Sequence, residues 1–433
     1  MTLDDILGPV EKDDDIFKHC HVNENKDGDR FVGIKADSGE IMVYFPIGYE
    51  LPKRDQDVRR DIKNLIHVLS EFSSKEDRLL AVNKFAAPQS VDFPINAYRN
   101  VIEYYLANNS SYYVETDPIF KTSARGPQDW PKTLRKQTPL VQNVDGVSSL
   151  IFTNFTVRSS LPNYNKKITQ INRYCVYEAF KKLGWLYVPY MPDPPGEHPD
   201  IKTSISIVNS RLQTINDDKK KTLFKSMKSM LEYQDEKTSE RQFYFGVDEF
   251  DNVWEKLIDT AFGEKDKDQY FPRTRWLLDY GKIKEKKPLI PDTIMIYNNK
   301  YYVLDAKCYR YGWTGIPDDL PNGTSINKQI TYGEYLEVSK SINNDSLFNA
   351  FIMPFNMAKN YFNISEPIGN IGEAIGDWRY KPQMKNYERI QGIVMDTRYL
   401  MYHYVGNNTR DKVTLSECIE KVLSRSAVPA PNV

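Results

Sequence analysis

Three side chains that could act on a phosphate group lie close together in the C-terminal half of the sequence: Asp292, Asp305 and Lys307. They form a Pro-Asp pair that is followed, after twelve residues, by Asp-Ala-Lys. Two carboxylates at short range repel each other unless a cation compensates, and a divalent metal ion is the obvious candidate. Two acids and a lysine around one point are what metal-assisted attack on a phosphodiester requires. The residue types therefore indicate metal-dependent cleavage of a phosphodiester bond.

A β-hairpin would bring these three side chains together. The runs TIMIY and KYYVL are typical of strands, and the pair between them, Asn298 and Asn299, favours a two-residue turn. Counting outward from that turn places Asp292 opposite Asp305, with Cβ atoms roughly 4.5–5.5 Å apart. Because side chains alternate along a strand, Lys307 shares the face of Asp305. The register predicts a site at the open end of the hairpin, and the alternative is a surface hairpin whose ends happen to be charged.

Two predicted helices flank this hairpin and could add further groups. Apolar residues recur at helical spacing from Asp248 to Gly263, and Glu255 lies at the edge of that apolar stripe. Considered alone, such a carboxylate is more often a solvated flank residue. After the hairpin, NKQITYGEYL predicts the start of a helix on which Gln329 and Tyr332 share one face. Ordinary amphipathic packing explains that pair equally well.

The motif and several other segments resemble one known family. Pro-Asp followed by Asp-Ala-Lys is similar to the PD-(D/E)xK signature of restriction-type nucleases. The segments FVGIKADSGEIMVYFPIGYEL, GPQDWPKT, VWEKL, the motif itself, Lys-Gln with Tyr332, and NAFIMPF follow in that order. Together they resemble the LlaJI-type restriction endonucleases, relatives of the McrC nuclease subunit. The resemblance implies a sequence-specific endonuclease that cuts double-stranded DNA with Mg²⁺ in a restriction system that includes a cognate methyltransferase.

The resemblance implies roles for the residues of the motif. We expect Asp292 and Asp305 to bind Mg²⁺, with the backbone carbonyl of Ala306 completing the shell. Lys307 is expected to orient the attacking water or help to deprotonate it, and to stabilise the developing charge.

The two flanking helices receive roles in the same way. In PD-(D/E)xK nucleases a helix before the hairpin brings a glutamate toward the metal, and Glu255 has that position, with Glu249 as its nearest competitor. Related nucleases also carry a glutamine and a tyrosine after the lysine that orient substrate or support the site, and Gln329 is similar to that glutamine. Gln329 and Tyr332 are three residues apart, whereas the RecB-like pattern has four.

The overall charge neither supports nor excludes DNA as a binding partner. The formal net charge is -1 at pH 7, so a nucleic-acid surface must be a local patch. One candidate lies in SARGPQDWPKTLRKQTP, where four cations surround Trp130: Arg125, Lys132, Arg135 and Lys136. Such a loop could follow a phosphate backbone, although charged loops are as often simply solvated.

The same segment is superficially similar to a phosphate-binding loop. From Gly126 to Thr133 a glycine is followed by Lys-Thr, but the second glycine is absent. Pro131 also removes a backbone donor where the loop would have to hold phosphate. ATP or GTP hydrolysis by this chain is therefore not expected.

The predicted fold class is α/β: a C-terminal PD-(D/E)xK restriction-endonuclease-like mixed sheet flanked by helices, with an α+β N-terminal DNA-recognition region. The polar stretch Tyr233–Gln242 predicts a boundary near residue 240, which gives a recognition region over 1–240 and a nuclease domain over 241–433. A further break near 110–120 is an option. Within the first region, Ser210–Gln234 is predicted as one helix and Leu150–Val157 as one strand.

The four cysteines are far apart and form no CxxC pair, which argues against a zinc ribbon and a disulfide framework. No apolar run reaches the length of a membrane span, and the acidic N-terminus is unlike a signal peptide, so we expect a cytoplasmic protein without a membrane partner.

Other functions remain open on the sequence alone. The chain could nick one strand, or form a catalytic subunit that needs a second subunit, a second copy of itself or a nucleotide-driven partner. It could also be a nuclease for RNA or branched DNA without sequence specificity, or a binding protein with a decayed nuclease fold. The presence of all three motif residues argues against decay.

Overall fold

The computed structural model describes residues 16–22, 31–37, 40–74, 78, 92–236, 243–376, 384–405 and 409–423. These ranges contain fifteen strands: β1 Cys20–Val22, β2 Val32–Asp37, β3 Glu40–Phe45, β4 Glu115–Ser123, β5 Leu140–Val144, β6 Val147–Ile151, β7 Phe155–Asn163, β8 Phe243–Val247, β9 Arg275–Leu277, β10 Ile283–Glu285, β11 Thr293–Tyr297, β12 Lys300–Ala306, β13 Leu347–Phe355, β14 Ile368–Ala374 and β15 Ile390–Asp396. They also contain eleven α-helices: α1 Asp55–Phe72, α2 Ile95–Ala107, α3 Trp130–Lys136, α4 Lys167–Leu183, α5 Ile201–Thr214, α6 Asp218–Glu236, α7 Asp251–Phe262, α8 Tyr311–Thr314, α9 Gly323–Lys340, α10 Thr397–His403 and α11 Thr409–Leu423. The protein is a mixed α/β protein. Among the described helices, none is long and apolar enough to cross a membrane.

The chain divides into two compact units, and the division differs from the expected one. Residues up to Phe93 and residues from Ser239 onward form one unit, here called the split unit, and Pro94–Thr238 form the other, here called the inserted unit. The boundary expected near residue 240 coincides with one of these limits, whereas the region 1–240 is not one unit and its inner break lies at residue 93. The segments before and after the inserted unit belong together because they share a sheet: β8, which follows Thr238, pairs antiparallel with β2.

The split unit contains the five-stranded sheet that carries the predicted hairpin. Its strand order is β11–β12–β13–β15–β14. Strands β12, β13 and β15 are parallel, and β11 and β14 are antiparallel to their neighbours at the two edges. The central strand β13 is buried along its whole length, as the nearly continuous apolar run LFNAFIMPF indicates. Helix α7 packs against β11 and β12, and α9 packs against β12 and β13.

Buried polar contacts hold the N-terminal segment within the split unit. The three strands of this segment and β8 form a second sheet with the order β1–β3–β2–β8. Asp61 of α1 is fully buried and accepts hydrogen bonds from Arg398 Nε at 2.7 Å and from the Tyr402 hydroxyl at 2.5 Å. Arg398 and Tyr402 lie on α10, which directly follows β15. A buried carboxylate needs such partners, so this contact ties α1 to the end of the five-stranded sheet.

The inserted unit combines a helical cluster with two strand pairs, β4 with β7 and β5 with β6. Two predictions in this region are wrong. The single helix expected over Ser210–Gln234 is divided between α5 and α6, because the Asp217 carboxylate accepts a hydrogen bond from the Lys220 backbone at 3.1 Å and so caps the start of a new helix. The strand expected over Leu150–Val157 is divided between β6 and β7, since each pairs with a different strand.

Candidate active site

The predicted hairpin of β11 and β12 is confirmed. Its strands pair antiparallel in the expected register, out to Thr293 opposite Leu304. Asn298 and Asn299 form the turn with φ angles of 50° and 59°. A two-residue turn of type I′ requires positive φ at both positions, and asparagine tolerates that conformation better than most residues. The local sequence therefore sets the register of the hairpin.

The open end of this hairpin brings together the two aspartates and the lysine of the motif. Lys307 Nζ lies 3.1 Å from Asp305 Oδ2 and 3.4 Å from Asp292 Oδ2. The Ala306 backbone N–H donates to Asp292 Oδ2 at 2.9 Å, which holds that carboxylate against the edge of β12. The Lys307 backbone N–H donates to the Ile352 carbonyl of β13 at 2.9 Å. The ammonium group thus lies between the carboxylate that directly precedes β11 and the carboxylate near the end of β12.

Burial and like charge shape the ionisation of this group. The Asp305 side chain is 2% exposed, and its Oδ1 atom is buried with no hydrogen-bond partner. Burial raises the pKa of Asp305 to about 6; the Asp292 charge adds to this effect and Lys307 opposes it. Burial acts to lower the pKa of Lys307, but the charges of Asp305 and Asp292 outweigh it and raise that pKa. Lys307 is consequently an ammonium ion at neutral pH.

Glu255 extends the cluster from the neighbouring helix α7. The preceding residue, Trp254, is fully buried, and its indole N–H donates to the Ile352 carbonyl at 3.2 Å, which fixes the rotation of the helix. Burial raises the pKa of Glu255 to about 7, with a further increase from the charge of Asp292 and an opposing effect from Lys307. The Glu255 carboxylate therefore lies within the electrostatic field of the hairpin acids. Its competitor in the sequence, Glu249, precedes the start of the helix.

The two aspartates are suited to an open magnesium site with few protein ligands, and in the part of the chain that the structure describes they do not form a site enclosed by three or more ligands. Within the described ranges, no group of three or more His, Cys, Asp or Glu side chains is arranged to hold a metal ion. Mg²⁺ usually keeps several waters and is bound through only one or two carboxylates. The unpartnered Asp305 Oδ1 is a buried acceptor that lacks compensation, and a cation would supply it. Asp292 and Asp305 thus fit Mg²⁺ as a two-carboxylate site.

The two residues predicted on α9 have different surroundings. The Gln329 amide donates to the carbonyls of Val303 at 2.8 Å and Ala350 at 3.3 Å, and so bridges β12 and β13. The Tyr332 hydroxyl is buried without a hydrogen-bond partner, and burial together with the charge of Asp305 raises its pKa. Gln329 therefore binds the backbone of the sheet. Of the two residues, Tyr332 is the one whose pKa is affected by the charge of Asp305.

The structure shows a supporting contact at Asp292 that was not predicted from the sequence. Lys267 Nζ donates to the Asp292 backbone carbonyl at 2.8 Å and lies 2.6 Å from Asp259 Oδ2. Asp259 also accepts a hydrogen bond from the Thr293 hydroxyl at 3.2 Å. Asp259 follows Glu255 by one helical turn, so its position on the same face of α7 was a usable signal.

The four cations predicted to contact DNA lie on the inserted unit, in and before α3. Three of them are exposed: Arg125, Arg135 and Lys136. Lys132 is half-buried, and its ammonium group lies 2.8 Å from the centroid of the Phe120 ring. Lys132 thus packs against the protein, while the other three are accessible to a ligand.

Comparison with known proteins places the chain in a family. A comparison with curated proteins finds no match. Among solved structures, the chain is similar to a chain of the half-complex from the tetradecameric assembly of Thermococcus gammatolerans McrB AAA+ hexamers with bound McrC. That similarity has 12% identity and a TM-score of 0.36 over 91% of this chain and 83% of the other, and is too weak to bear on function. The family model of the LlaJI restriction endonuclease matches residues 31–370, which is most of the sequence. The chain therefore belongs to the LlaJI restriction endonuclease family.

Proposed function

We propose that this chain is a type II restriction endonuclease that hydrolyses phosphodiester bonds of double-stranded DNA, with Mg²⁺, at or near a specific sequence. Membership of a restriction endonuclease family indicates a nuclease that acts on DNA. One observation supports the chemistry: Asp292, Asp305 and Lys307 converge at the open end of the β11–β12 hairpin. In this proposal the hairpin, the mixed sheet and the flanking helices form a PD-(D/E)xK domain. The proposed setting is a cytoplasmic restriction system that includes a cognate methyltransferase.

The charge of each side chain suggests its role in the reaction. Asp292 and Asp305 would hold Mg²⁺, which supplies Lewis-acid stabilisation of the phosphate. The N–H of Ala306 points to Asp292, and in a strand the carbonyl of a residue points to the same edge as its N–H, which supports Ala306 as a further oxygen ligand. Lys307, held as an ammonium ion, would orient the attacking water and stabilise the negative charge that develops on the phosphate. Glu255 would position that water or a second ion from α7.

Gln329 has a supporting role in this proposal. Its amide joins the backbones of β12 and β13 two residues before Asp305, so it positions the strand that carries the acid and does not contact substrate. We therefore assign it as a positioning residue.

We assign sequence recognition to the inserted unit. Its exposed cations Arg125, Arg135 and Lys136 offer phosphate or base contacts, since arginine and lysine serve either purpose. Replacing these three residues with glutamine should lower the affinity for duplex DNA in a gel-shift titration. An unchanged affinity would exclude this surface from DNA binding.

The proposed activity can be tested with supercoiled plasmid DNA, Mg²⁺ and two variants. Asp305→Asn removes one carboxylate charge from the site, and we expect it to abolish cleavage while DNA binding is retained. Asp318→Asn makes the same change at an exposed position and should cleave at the native rate. Continued cleavage by the Asp305→Asn protein would refute the assigned site.

The products also distinguish the mode of cleavage. Linear plasmid from the purified chain indicates a double-strand break by this protein or its homodimer. Open circles indicate a nicking enzyme, and activity that appears only with a second subunit or with a nucleotide-driven partner indicates a catalytic subunit. Sequencing the fragment ends then gives the recognition site and the cleavage offset.

A further inference from the structure

A two-stranded ribbon of the split unit directly precedes the β11–β12 hairpin in the sequence. It comprises residues 273–287, here called the basic ribbon, with β9 and β10 as its strands. Backbone hydrogen bonds extend the ladder beyond these strands, from the Lys286 N–H to the Thr274 carbonyl at 2.9 Å and from the Leu278 N–H to the Lys282 carbonyl at 3.0 Å. Nearly all of its residues are exposed, including Trp276 at 60%. Its exposed large apolar side chains, Trp276, Leu277, Tyr280 and Ile283, are typical of a surface that contacts another molecule.

The ribbon is strongly basic in a protein whose net charge is -1. It carries two acids, Asp279 and Glu285, and six exposed cations: Arg273, Arg275, Lys282, Lys284, Lys286 and Lys287. Lysine is depleted in the core of protein–protein interfaces, whereas phosphate backbones attract it. The charge therefore favours a polyanion over a protein as the partner.

The six cations divide between the two faces of the ribbon. Trp276 lies directly opposite Lys284, so these two residues share one face. Lys282 and Lys286 are two residues away from Lys284 on the same strand and belong to the same face. One face thus carries three lysines around a tryptophan and no acid of the two strands, while the other carries Arg273, Arg275 and Lys287 together with Glu285.

The base of the ribbon is anchored in the core that supports the hairpin. The Leu289 N–H donates to the Pro272 carbonyl at 3.0 Å. The Leu289 side chain packs against the hydrophobic cluster that includes Ile294 of β11 and Val303 of β12. Lys287 is five residues from Asp292, a separation of at most about 18 Å, or roughly five base pairs of duplex. The base of the ribbon is therefore held close to the proposed cleavage site. Lys282, the lysine of the face that is farthest from Asp292 in sequence, is ten residues away from it, which limits their separation to about 36 Å.

We propose that the lysine face of the basic ribbon binds double-stranded DNA beside the cleaved phosphate. The major groove, about 12 Å wide, admits a two-stranded ribbon, and its lysines would meet the phosphates along the groove. This inference rests on the proposed nuclease function, because it takes its ligand to be the substrate of that site. It assigns DNA contacts to the split unit, in addition to those expected on the inserted unit.

The test measures how DNA binding by the full-length chain depends on salt. Fluorescence anisotropy with a labelled duplex, without divalent metal, gives the affinity between about 50 and 300 mM salt. The ribbon variant is Lys282→Gln, Lys284→Gln and Lys286→Gln combined. The control carries the same charge change at three exposed lysines of the split unit: Lys18, Lys340 and Lys359.

Each phosphate contact contributes about 0.9 to the slope of log affinity against log salt. We therefore expect the ribbon variant to lose about 2–3 from that slope, and at least 10-fold in affinity near 0.1 M salt, relative to the control. Equal slopes and affinities for the two variants would overturn the proposal. So would a change of oligomeric state in the ribbon variant with unchanged DNA binding, which would mark the ribbon as a protein contact.

Plasmid cleavage by Asp305→Asn, measured in parallel, separates the two proposals. Loss of cleavage by Asp305→Asn with normal DNA binding by the ribbon variant refutes the ribbon assignment alone. Cleavage by Asp305→Asn refutes the active site, whatever the ribbon variant does.

Discussion

Asp305→Asn should stabilise the metal-free protein at alkaline pH, although it removes a residue of the proposed active site. The Asp305 carboxylate is almost fully buried, has one unpartnered oxygen and faces the charge of Asp292. Asparagine has a similar shape and no charge, and Lys307 keeps Asp292 as a partner at 3.4 Å. The native protein thus carries an electrostatic cost that the variant lacks, as expected of a site prepared for a cation.

The pKa of Asp305 gives the size and sign of this effect. Folding raises it from 3.8 to about 6, so the folded state binds this proton more tightly than the unfolded state. Stability is therefore lost as pH rises from the unfolded value to the folded one. A shift of roughly two pKa units corresponds to at most about 3 kcal/mol at pH 8, and we expect a gain of about 1–3 kcal/mol for the variant. Well below pH 3.8 the Asp305 carboxyl is protonated in both the folded and the unfolded state, and the gain should disappear.

Urea denaturation in EDTA at pH 8 and at acidic pH measures the free energy of unfolding of each protein. Asp318→Asn, at an exposed position, is the matched control and should show no such dependence. Adding Mg²⁺ at pH 8 should stabilise the native protein more than Asp305→Asn, because only the native site binds the ion tightly. A variant that is less stable than the native protein at pH 8, or a difference that does not change with pH, would refute the reasoning.

Three further substitutions test other parts of the structure. Lys307→Met removes the ammonium group between the two acids, and we expect plasmid cleavage to fall by at least about 100-fold; a native rate would exclude the assigned role. Asp61→Ala leaves Arg398 without its buried partner and should cost about 3–5 kcal/mol in urea denaturation, whereas a loss below about 1 kcal/mol would show that the pair does not hold α1 in place. Gln329→Leu deprives the Val303 carbonyl of its donor and should cost about 1–3 kcal/mol, with cleavage retained in the folded protein. Lost cleavage at unchanged stability would instead indicate a direct role for Gln329.

Much of the candidate site follows from local sequence. The turn at Asn298 and Asn299 and the alternation of side chains along β11 and β12 depend on residues within a few positions of each other, so the register could be counted from the sequence. Helix α7 follows from apolar spacing in the same way, and the resemblance to related nucleases indicated Glu255 on it. The direction of the Gln329 amide could not be predicted, because it depends on carbonyl groups of two strands that are distant in sequence.

By itself, the sequence determined the geometry of the proposed site: a hairpin with a fixed register that sets two aspartates and a lysine side by side. Only the tertiary structure decided which parts of the chain share a unit, because that choice depends on pairing between β2 and β8 and on the buried contact of Asp61 with Arg398. These contacts join residues hundreds of positions apart, and no local pattern encodes them. The same applies to the unpartnered oxygen of Asp305, since burial and the lack of a partner are properties of the whole fold.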